Sequence, residues 1–281
     1  MINFFDFVNI DGPVKARYLS TAFSHDFYHQ LRAQLPVEFL TNRKGSDFFS
    51  RLTSMGEPQQ FETFLSTAPA WSDVISYFSK KETVTHFLTL FSEDITRARG
   101  LTQNLDSNSI EVNFDFHLAQ RGYFLAPHTD TGFKVLSLVF YLPNKDMPFS
   151  GGGTRLYKPK SNLQSTEYLH RISGHDNQAS GKNRDKLPLL SASLPRIYKA
   201  SDQSQAVDVA TTEFDKHYEC YFGNEFNANS CLAFVKASDS WHDVRLQQFP
   251  ADTDRWTFLV NFNVKPSLLQ RVKAKVNSLL S

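Results

Sequence analysis

A histidine and an aspartate separated by one residue stand near the middle of the chain. His128 and Asp130 flank Thr129 in this segment. In an extended backbone, alternate side chains point to the same side, so the imidazole and the carboxylate would converge. A second imidazole beside them would complete a set of two histidines and one carboxylate, which leaves coordination positions of an iron(II) ion open. About one such histidine–acid pair is expected by chance from this composition, so the pair predicts a metal site only together with the features that follow.

The second imidazole is predicted to come from His242. This residue follows an apolar run, Leu232 to Val235, and a short turn, so the chain can deliver it to the rim of a sheet. Another histidine–acid pair, His217 and Glu219, leaves room for little more than one hairpin before His242. We interpret that second pair as ordinary polar residues on a strand.

A cationic residue and a hydroxyl open the next predicted strand. Arg255 and Thr257 are two positions apart and would share one face of that strand. A guanidinium that grips a carboxylate through two N–H groups, with a hydroxyl beside it, suits the far end of 2-oxoglutarate. For Arg255 taken alone, a surface salt bridge is the alternative interpretation.

The elements that must position these residues change in character along the chain. Residues 1–109 are predicted to be a mostly helical layer, because apolar side chains repeat there at helical spacing. The two clearest stripes are Trp71, Val74, Ile75 and Phe78, and then Val84, Phe87, Leu88 and Phe91. Residues 266–280 predict a closing amphipathic helix, which would cover the sheet or meet a partner.

From residue 110 the apolar period becomes that of a strand. Apolar and polar side chains alternate from Ile110 to His117, as in a half-buried strand. Further strands are predicted at Val135–Tyr141, Thr154–Tyr157, Arg196–Tyr198, Tyr218–Phe222, Cys231–Lys236 and Trp256–Val264. Many short strands with Gly, Pro and Asn turns favour a sandwich or barrel over a parallel sheet.

One polar segment, about residues 160–187, interrupts these strands. A loop of this length inside a domain is usually functional or disordered, so we interpret it as an insertion that could act as a substrate lid. Its basic side chains, among them Arg171, His175 and Arg184, hint at an anionic substrate. A solvated loop is the alternative interpretation.

Composition excludes several function classes. The formal net charge is +1, which gives no electrostatic footprint for nucleic acid. The best apolar run, Val135 to Leu142, is too short to span a bilayer, and the N-terminus is a poor signal peptide. Two cysteines, Cys220 and Cys231, could face each other across a hairpin, but we interpret them as reduced thiols, so a cytoplasmic location is expected.

Five stretches, taken in order, resemble the 2-oxoglutarate- and iron(II)-dependent oxygenases, especially their prolyl 4-hydroxylase-like branch. These stretches are Gly122–Asp130, Leu136–Leu142, Gly151–Tyr157, Trp241–Val244 and Arg255–Thr257. The resemblance implies a mainly β fold with flanking helices. Its core, residues 110–264, would be a double-stranded β-helix, a jelly roll like that of the cupins, packed on the N-terminal helical layer. The whole chain, 1–281, would form a single domain closed by a helix at 265–281.

The same resemblance implies the cofactors and the reaction. His128, Asp130 and His242 would bind iron(II), and Arg255 with Thr257 would bind 2-oxoglutarate. With O2, such an enzyme hydroxylates an unactivated C–H bond of a small molecule or of an amino-acid or protein side chain, releasing succinate and CO2. A carboxylate at position 130 favours hydroxylation, because halogenating relatives keep that position small.

Some features depart from the family pattern. Many members carry a tyrosine on the strand before the metal pair, where it contacts 2-oxoglutarate. The nearest polar residue here is His117, which would either take that role or be a satisfied barrel histidine. Demethylases of nucleic acids have a second arginine where this chain has Asn261. A cupin-like metal-binding protein or isomerase that does not use 2-oxoglutarate is the alternative from another class.

Overall fold

The strands expected after residue 110 form two antiparallel sheets in the computed structural model. The structure describes residues 6–42, 49–99, 105–121, 123–130, 133–144, 151–160, 214–237, 239–245, 250 and 253–265. The core strands are β5 (Ile110–Ala119), β6 (Phe124–His128), β7 (Lys134–Tyr141), β8 (Gly152–Pro159), β9 (Tyr218–Glu225), β10 (Ser230–Val235), β11 (His242–Arg245) and β12 (Arg255–Val264).

The order of these strands defines the fold. The large sheet contains β10, β7, β12 and β5 as consecutive neighbours, and the small sheet runs β6, β11, β8, β9. From β5 to β8 each successive strand lies in the other sheet, β8 and β9 pair within the small sheet, and alternation resumes from β9 to β12. This winding is a double-stranded β-helix, so the predicted fold class is confirmed.

Four short strands extend the large sheet at both edges. They are β1 (Val8–Ile10), β2 (Ala16–Leu19), β3 (Thr41–Asn42) and β4 (Phe49–Thr53). Strand β2 pairs with β10, and β4 pairs with β5. The sequence analysis missed these strands, because they are two to five residues long and some are rich in polar side chains. Their partners, distant in sequence, stabilise the extended backbone.

The predicted helical layer covers one face of the large sheet. It consists of α1 (His25–Ala33), α2 (Pro58–Thr67), α3 (Pro69–Ser79), α4 (Lys81–Leu90) and α5 (Ser92–Arg99). Trp71 of α3 is fully buried, with its ring centroid 4.7 Å from that of Phe116 and 4.9 Å from that of Phe258. The predicted stripes on α3 and α4 are therefore packing surface.

The two faces of the large sheet have different tasks because side chains alternate along a strand. On β12, Phe258, Val260 and Phe262 enter the core beneath the helices. Arg255 and Thr257 point the other way, into the space between the sheets. A second apolar cluster fills much of that space, with Tyr141 and Leu232 from the large sheet and Leu156 and Val244 from the small one.

Several predictions fall outside the described residues. They are the strand at 196–198, the 160–187 insertion beyond Lys160, with Arg171, His175 and Arg184, and the C-terminal helix at 266–280. Among the described residues, no helix has both the length and the apolar character needed to cross a membrane.

Candidate active site

The structure brings His128, Asp130 and His242 together. One ligand atom from each of the three side chains lies within 4.8 Å of the others, and both histidines are buried. The two imidazole centroids are 4.2 Å apart, and Nε2 of His242 lies 3.4 Å from Oδ2 of Asp130. Among the described residues, this is the one cluster of three or more such side chains that could hold a metal ion.

Strand pairing in the small sheet creates this proximity. His128 ends β6, and His242 begins β11 directly opposite it in the antiparallel register. The register then shifts between His242 and Val244, so the ladder is irregular just beside the triad. Irregular pairing of this kind is common next to active sites, where it re-aims a side chain.

The tautomer of His242 follows from its neighbour. Nδ1 lies 2.9 Å from the carbonyl oxygen of Ser240, which can only accept a hydrogen bond. Nδ1 therefore carries the proton, and the lone pair of Nε2 is directed to the triad. Burial, with the charge of Lys236, lowers the pKa of His242 well below its usual value. The imidazole is thus neutral at physiological pH, as metal binding requires.

Two lysines contact the carboxylate of Asp130, and the sequence analysis predicted neither. Lys236 Nζ forms an ion pair with Oδ2, and Lys134 Nζ lies 3.0 Å from Oδ1. Burial raises the pKa of Asp130, but the two ammonium groups outweigh it and hold that pKa well below its usual value. Burial also lowers the pKa of Lys236 to about 7. Lys236 directly follows an apolar strand, and a lysine at that position was the feature of the sequence that could have indicated its place in the site.

Arg255 and Thr257 line the same cavity as the triad. This cavity has a volume of about 150 Å³ and lies between the two sheets. Arg255 is 4% exposed and donates from Nε to the carbonyl oxygen of Gly152. Its guanidinium carbon lies 5.7 Å from the ring centroid of Tyr141. No carboxylate among the described residues lies within ion-pair distance of Arg255. Within this part of the chain, Arg255 therefore does not form the surface salt bridge that was the alternative interpretation.

Thr257 supplies a buried polar atom without a partner. Its side chain is 1% exposed, and Oγ1 makes no hydrogen bond within the described structure. A buried hydroxyl in this condition costs free energy, and native proteins usually satisfy such groups. A ligand carboxylate held by Arg255 would satisfy it.

His117 occupies the wall of the cavity beside Thr257. It lies opposite Thr257 across the β5–β12 pair and opposite Arg51 across the β4–β5 pair. Its ring packs edge-on against Phe49 at 5.1 Å between centroids. Contact with 2-oxoglutarate stays a prediction for this residue.

A buried charged network supports β11 behind the triad. Oδ2 of Asp243 accepts hydrogen bonds from Tyr157 Oη at 2.7 Å and from Arg245 Nε at 2.6 Å. Arg245 also pairs with Asp215, 3.2 Å away. Because Asp243 follows His242 directly, this network restrains the strand that carries the second imidazole.

The second histidine–acid pair does not join the site. Glu219 lies on β9, at the edge of the small sheet, and pairs with Lys158 at 3.0 Å. The backbone carbonyl of His217 accepts a hydrogen bond from the amide of Lys160.

The arrangement fits an iron(II) ion and a small dicarboxylate. Two imidazoles and one carboxylate form the donor set that iron(II) oxygenases use, with positions left for other ligands. At the other side of the cavity, a buried guanidinium and an unsatisfied hydroxyl face the same space. A dicarboxylate that bound the metal at one end could accept hydrogen bonds from both the guanidinium and the hydroxyl at its other end.

Comparison with known proteins gives structural neighbours only. No family model matches the chain, and no curated protein matches it. Among solved structures it is similar to HygX from Streptomyces hygroscopicus with nickel and 2-oxoglutarate bound, at 8% identity and TM-score 0.43, covering 90% of this chain and 83% of that one. It is also similar to a Pseudomonas putida prolyl-4-hydroxylase, at 13% identity and TM-score 0.42, covering 89% and 93%.

A third neighbour is a prolyl hydroxylase from Trichoplax adhaerens in complex with a hypoxia inducible factor peptide fragment. It is 10% identical with TM-score 0.41, and the match covers 89% of this chain and 83% of that one. At such identities and TM-scores these neighbours say nothing about activity or substrate. The functional conclusion depends on the side chains of the cavity.

Proposed function

We propose that this protein is an iron(II)- and 2-oxoglutarate-dependent dioxygenase that hydroxylates a C–H bond of a small molecule or of an amino-acid side chain. One observation carries the proposal. The triad of His128, Asp130 and His242 and the anchor of Arg255 and Thr257 line the same cavity. A metal-binding protein of another class would have no need of a buried guanidinium and hydroxyl facing its metal ligands.

The chain's own residues perform binding and orientation. His242 presents Nε2 because its Nδ1 proton is held by Ser240, and Asp130 stays ionised beside its lysines. Arg255 binds the far carboxylate of 2-oxoglutarate, and Thr257 donates its hydroxyl proton to it. When held by the triad, iron(II) would activate O2, the oxidant, so that one oxygen atom enters succinate as 2-oxoglutarate loses CO2 and the other enters the hydroxylated substrate.

Apolar side chains line part of the cavity. Leu125, Val139, Phe234, Val244 and Leu259 line it between the polar groups. Because Arg255 is buried beside these side chains, the effective dielectric constant around it is lower than in water, which strengthens its interaction with a carboxylate.

Nucleic-acid demethylation is a poorer match to the site. At the position where such enzymes have a second arginine, Asn261 is committed to two partners within the fold. Its Oδ1 accepts from Ser137 Oγ at 2.6 Å, and its Nδ2 donates to Asp115 Oδ2 at 2.8 Å. Both cysteines are free thiols, which is compatible with the proposed cytoplasmic location.

The test is an anaerobic titration of the iron(II)-loaded protein with 2-oxoglutarate, followed by the weak visible absorption band that the two give together. We expect a band in the wild type, a weaker affinity in Arg255→Ala and no band in His128→Ala. Arg97→Ala, on the exposed surface of α5, is the matched control and should titrate like the wild type. Absence of the band in the wild type would move the assignment to a cupin-like metalloprotein.

A further inference from the structure

The candidate site carries more positive charge than its cofactors neutralise. Four cationic side chains line the cavity, Arg51, Lys134, Lys236 and Arg255, against the single carboxylate of Asp130. Bound iron(II) and the 2-oxoglutarate dianion cancel each other in charge. The excess positive charge therefore remains once both are bound, and positive charge in a partly buried cavity is costly without a counter-anion.

Arg51 is the cation whose role the proposed function leaves open. It lies on β4, half-buried, and its side chain makes no hydrogen bond or ion pair with any described residue. The two lysines, by contrast, contact Asp130, and Arg255 is the cosubstrate anchor.

The charge of Arg51 acts on Asp115, as does that of Glu57, and both of these carboxylates accept hydrogen bonds from other residues. Asp115 accepts a hydrogen bond from Asn261, and burial raises the pKa of Asp115 despite the nearby charges of Lys134 and Arg51. Glu57 Oε2 accepts from the backbone N–H of Thr53 at 3.1 Å and from Thr53 Oγ1 at 2.9 Å. Neither carboxylate forms an ion pair with Arg51 within 4.0 Å. Even with Asp115 ionised, the cations along the cavity outnumber the acids.

Strand register separates Arg51 from the cosubstrate anchor. Thr257 lies opposite His117, and His117 lies opposite Arg51, so two inter-strand steps separate Arg51 from Thr257. At about 4.8 Å per step, the two backbones are roughly 10 Å apart. Arg51 thus offers a second point for a negative charge in the same cavity, distinct from the one at Arg255.

We propose that the substrate of this site carries a carboxylate or phosphate group and that Arg51 binds it. This inference rests on the proposed function, which assigns Arg255 to 2-oxoglutarate. Arg51 is then a specificity residue. It orients the substrate by its anionic end, and Lys134 adds a second positive charge near Asp115.

The test uses inorganic phosphate and acetate as probes, with acetamide as the uncharged counterpart of acetate. Each is titrated by calorimetry into protein loaded with redox-inert zinc(II) and saturated with 2-oxoglutarate, so that Arg255 is already occupied. We expect phosphate or acetate to bind the wild type, and acetamide not to bind. Arg51→Gln should weaken the affinity for the anion by about tenfold or more, which is the usual effect of losing a charge-assisted hydrogen bond.

Arg97→Gln removes the same charge from the exposed surface of α5 and should bind both probes like the wild type. Stronger binding of phosphate would identify a phosphorylated substrate, and stronger binding of acetate a carboxylic acid. Equal binding by wild type and Arg51→Gln, or no binding of either anion, would overturn the inference. The affinity for 2-oxoglutarate is measured on the same samples, and Arg51→Gln should leave that affinity unchanged. Failure of the inference about Arg51 is thereby distinguished from failure of the proposed function, in which the wild type itself would not bind 2-oxoglutarate.

Discussion

Two buried threonines line the cavity, and they differ in whether the side-chain hydroxyl has a hydrogen-bond partner within the fold. Thr154 Oγ1 accepts a hydrogen bond from Tyr141 Oη at 2.8 Å, which ties β8 of the small sheet to β7 of the large one. Thr257 Oγ1 has no such partner in the described structure. The first hydroxyl contributes to folding, whereas the second is available to a ligand.

We expect Thr257→Val to weaken 2-oxoglutarate binding by about tenfold, since a hydrogen bond to a charged group contributes about 1.5 kcal/mol or more. The same change should leave the free energy of unfolding unchanged or slightly raised, because it removes an unsatisfied buried hydroxyl. Calorimetric titration and urea denaturation measure the two effects.

Thr154→Val is the matched control. It removes the hydrogen bond with Tyr141, so we expect it to lower the free energy of unfolding by about 1 kcal/mol. If Thr257→Val bound 2-oxoglutarate like the wild type, the role given to its hydroxyl would be wrong.

At the scale of elements, the helices hold the strands that present the anchor. Strand β12 pairs with β5 over ten residues and with β7 on its other side. The face of β12 opposite Arg255 and Thr257 packs under α3, where Trp71 also donates from Nε1 to the carbonyl of Leu31 at 2.9 Å. The helical layer therefore stabilises the site without touching it.

Trp71→Ala should lower the free energy of unfolding by about 3–5 kcal/mol, as for other large aromatic side chains removed from a core. Metal affinity of the protein that remains folded should change little, because Trp71 lies on the other side of the large sheet from the triad. Urea denaturation gives the first quantity, and zinc(II) titration gives the second. Val37→Ala, at a residue that is 63% exposed, serves as control and should shift stability by less than about 0.5 kcal/mol. A stability loss in Trp71→Ala no larger than that of the control would contradict this role.

At the scale of the whole molecule, the site exists only when both sheets are assembled. The triad comes from β6, β11 and the residues that follow β6, all at the small sheet, whereas Arg255 and Thr257 come from the large sheet. A ligand that contacts both sheets binds the folded state alone and must stabilise it.

We therefore expect zinc(II) and 2-oxoglutarate together to raise the unfolding temperature more than the two separate shifts combined. At ligand concentrations about 100 times Kd, the stabilisation should be about 2.7 kcal/mol for each ligand. Thermal unfolding followed by circular dichroism measures the shift. In His128→Ala the joint effect should be lost, and an equal shift in that variant would show that binding does not use the triad.

The sequence by itself indicated the fold class and several of the positions that line the cavity. Alternation from Ile110 onward indicated half-buried strands, and a two-residue spacing placed His128 beside Asp130 and Arg255 beside Thr257. These inferences succeed because side-chain direction along a strand has a local period of two. The helical stripes on α3 and α4 are local in the same sense.

Only the tertiary structure decided which residues meet across the sheets. Lys134 on β7 and Lys236, which directly follows β10, contact Asp130, and Arg51 lines the cavity from β4, a strand that the sequence analysis missed. Strands β1 to β4 form because partners far along the chain satisfy their backbone hydrogen bonds. Register between distant strands is a collective property of the packed molecule. The excess of positive charge in the cavity could therefore be inferred only from the folded chain.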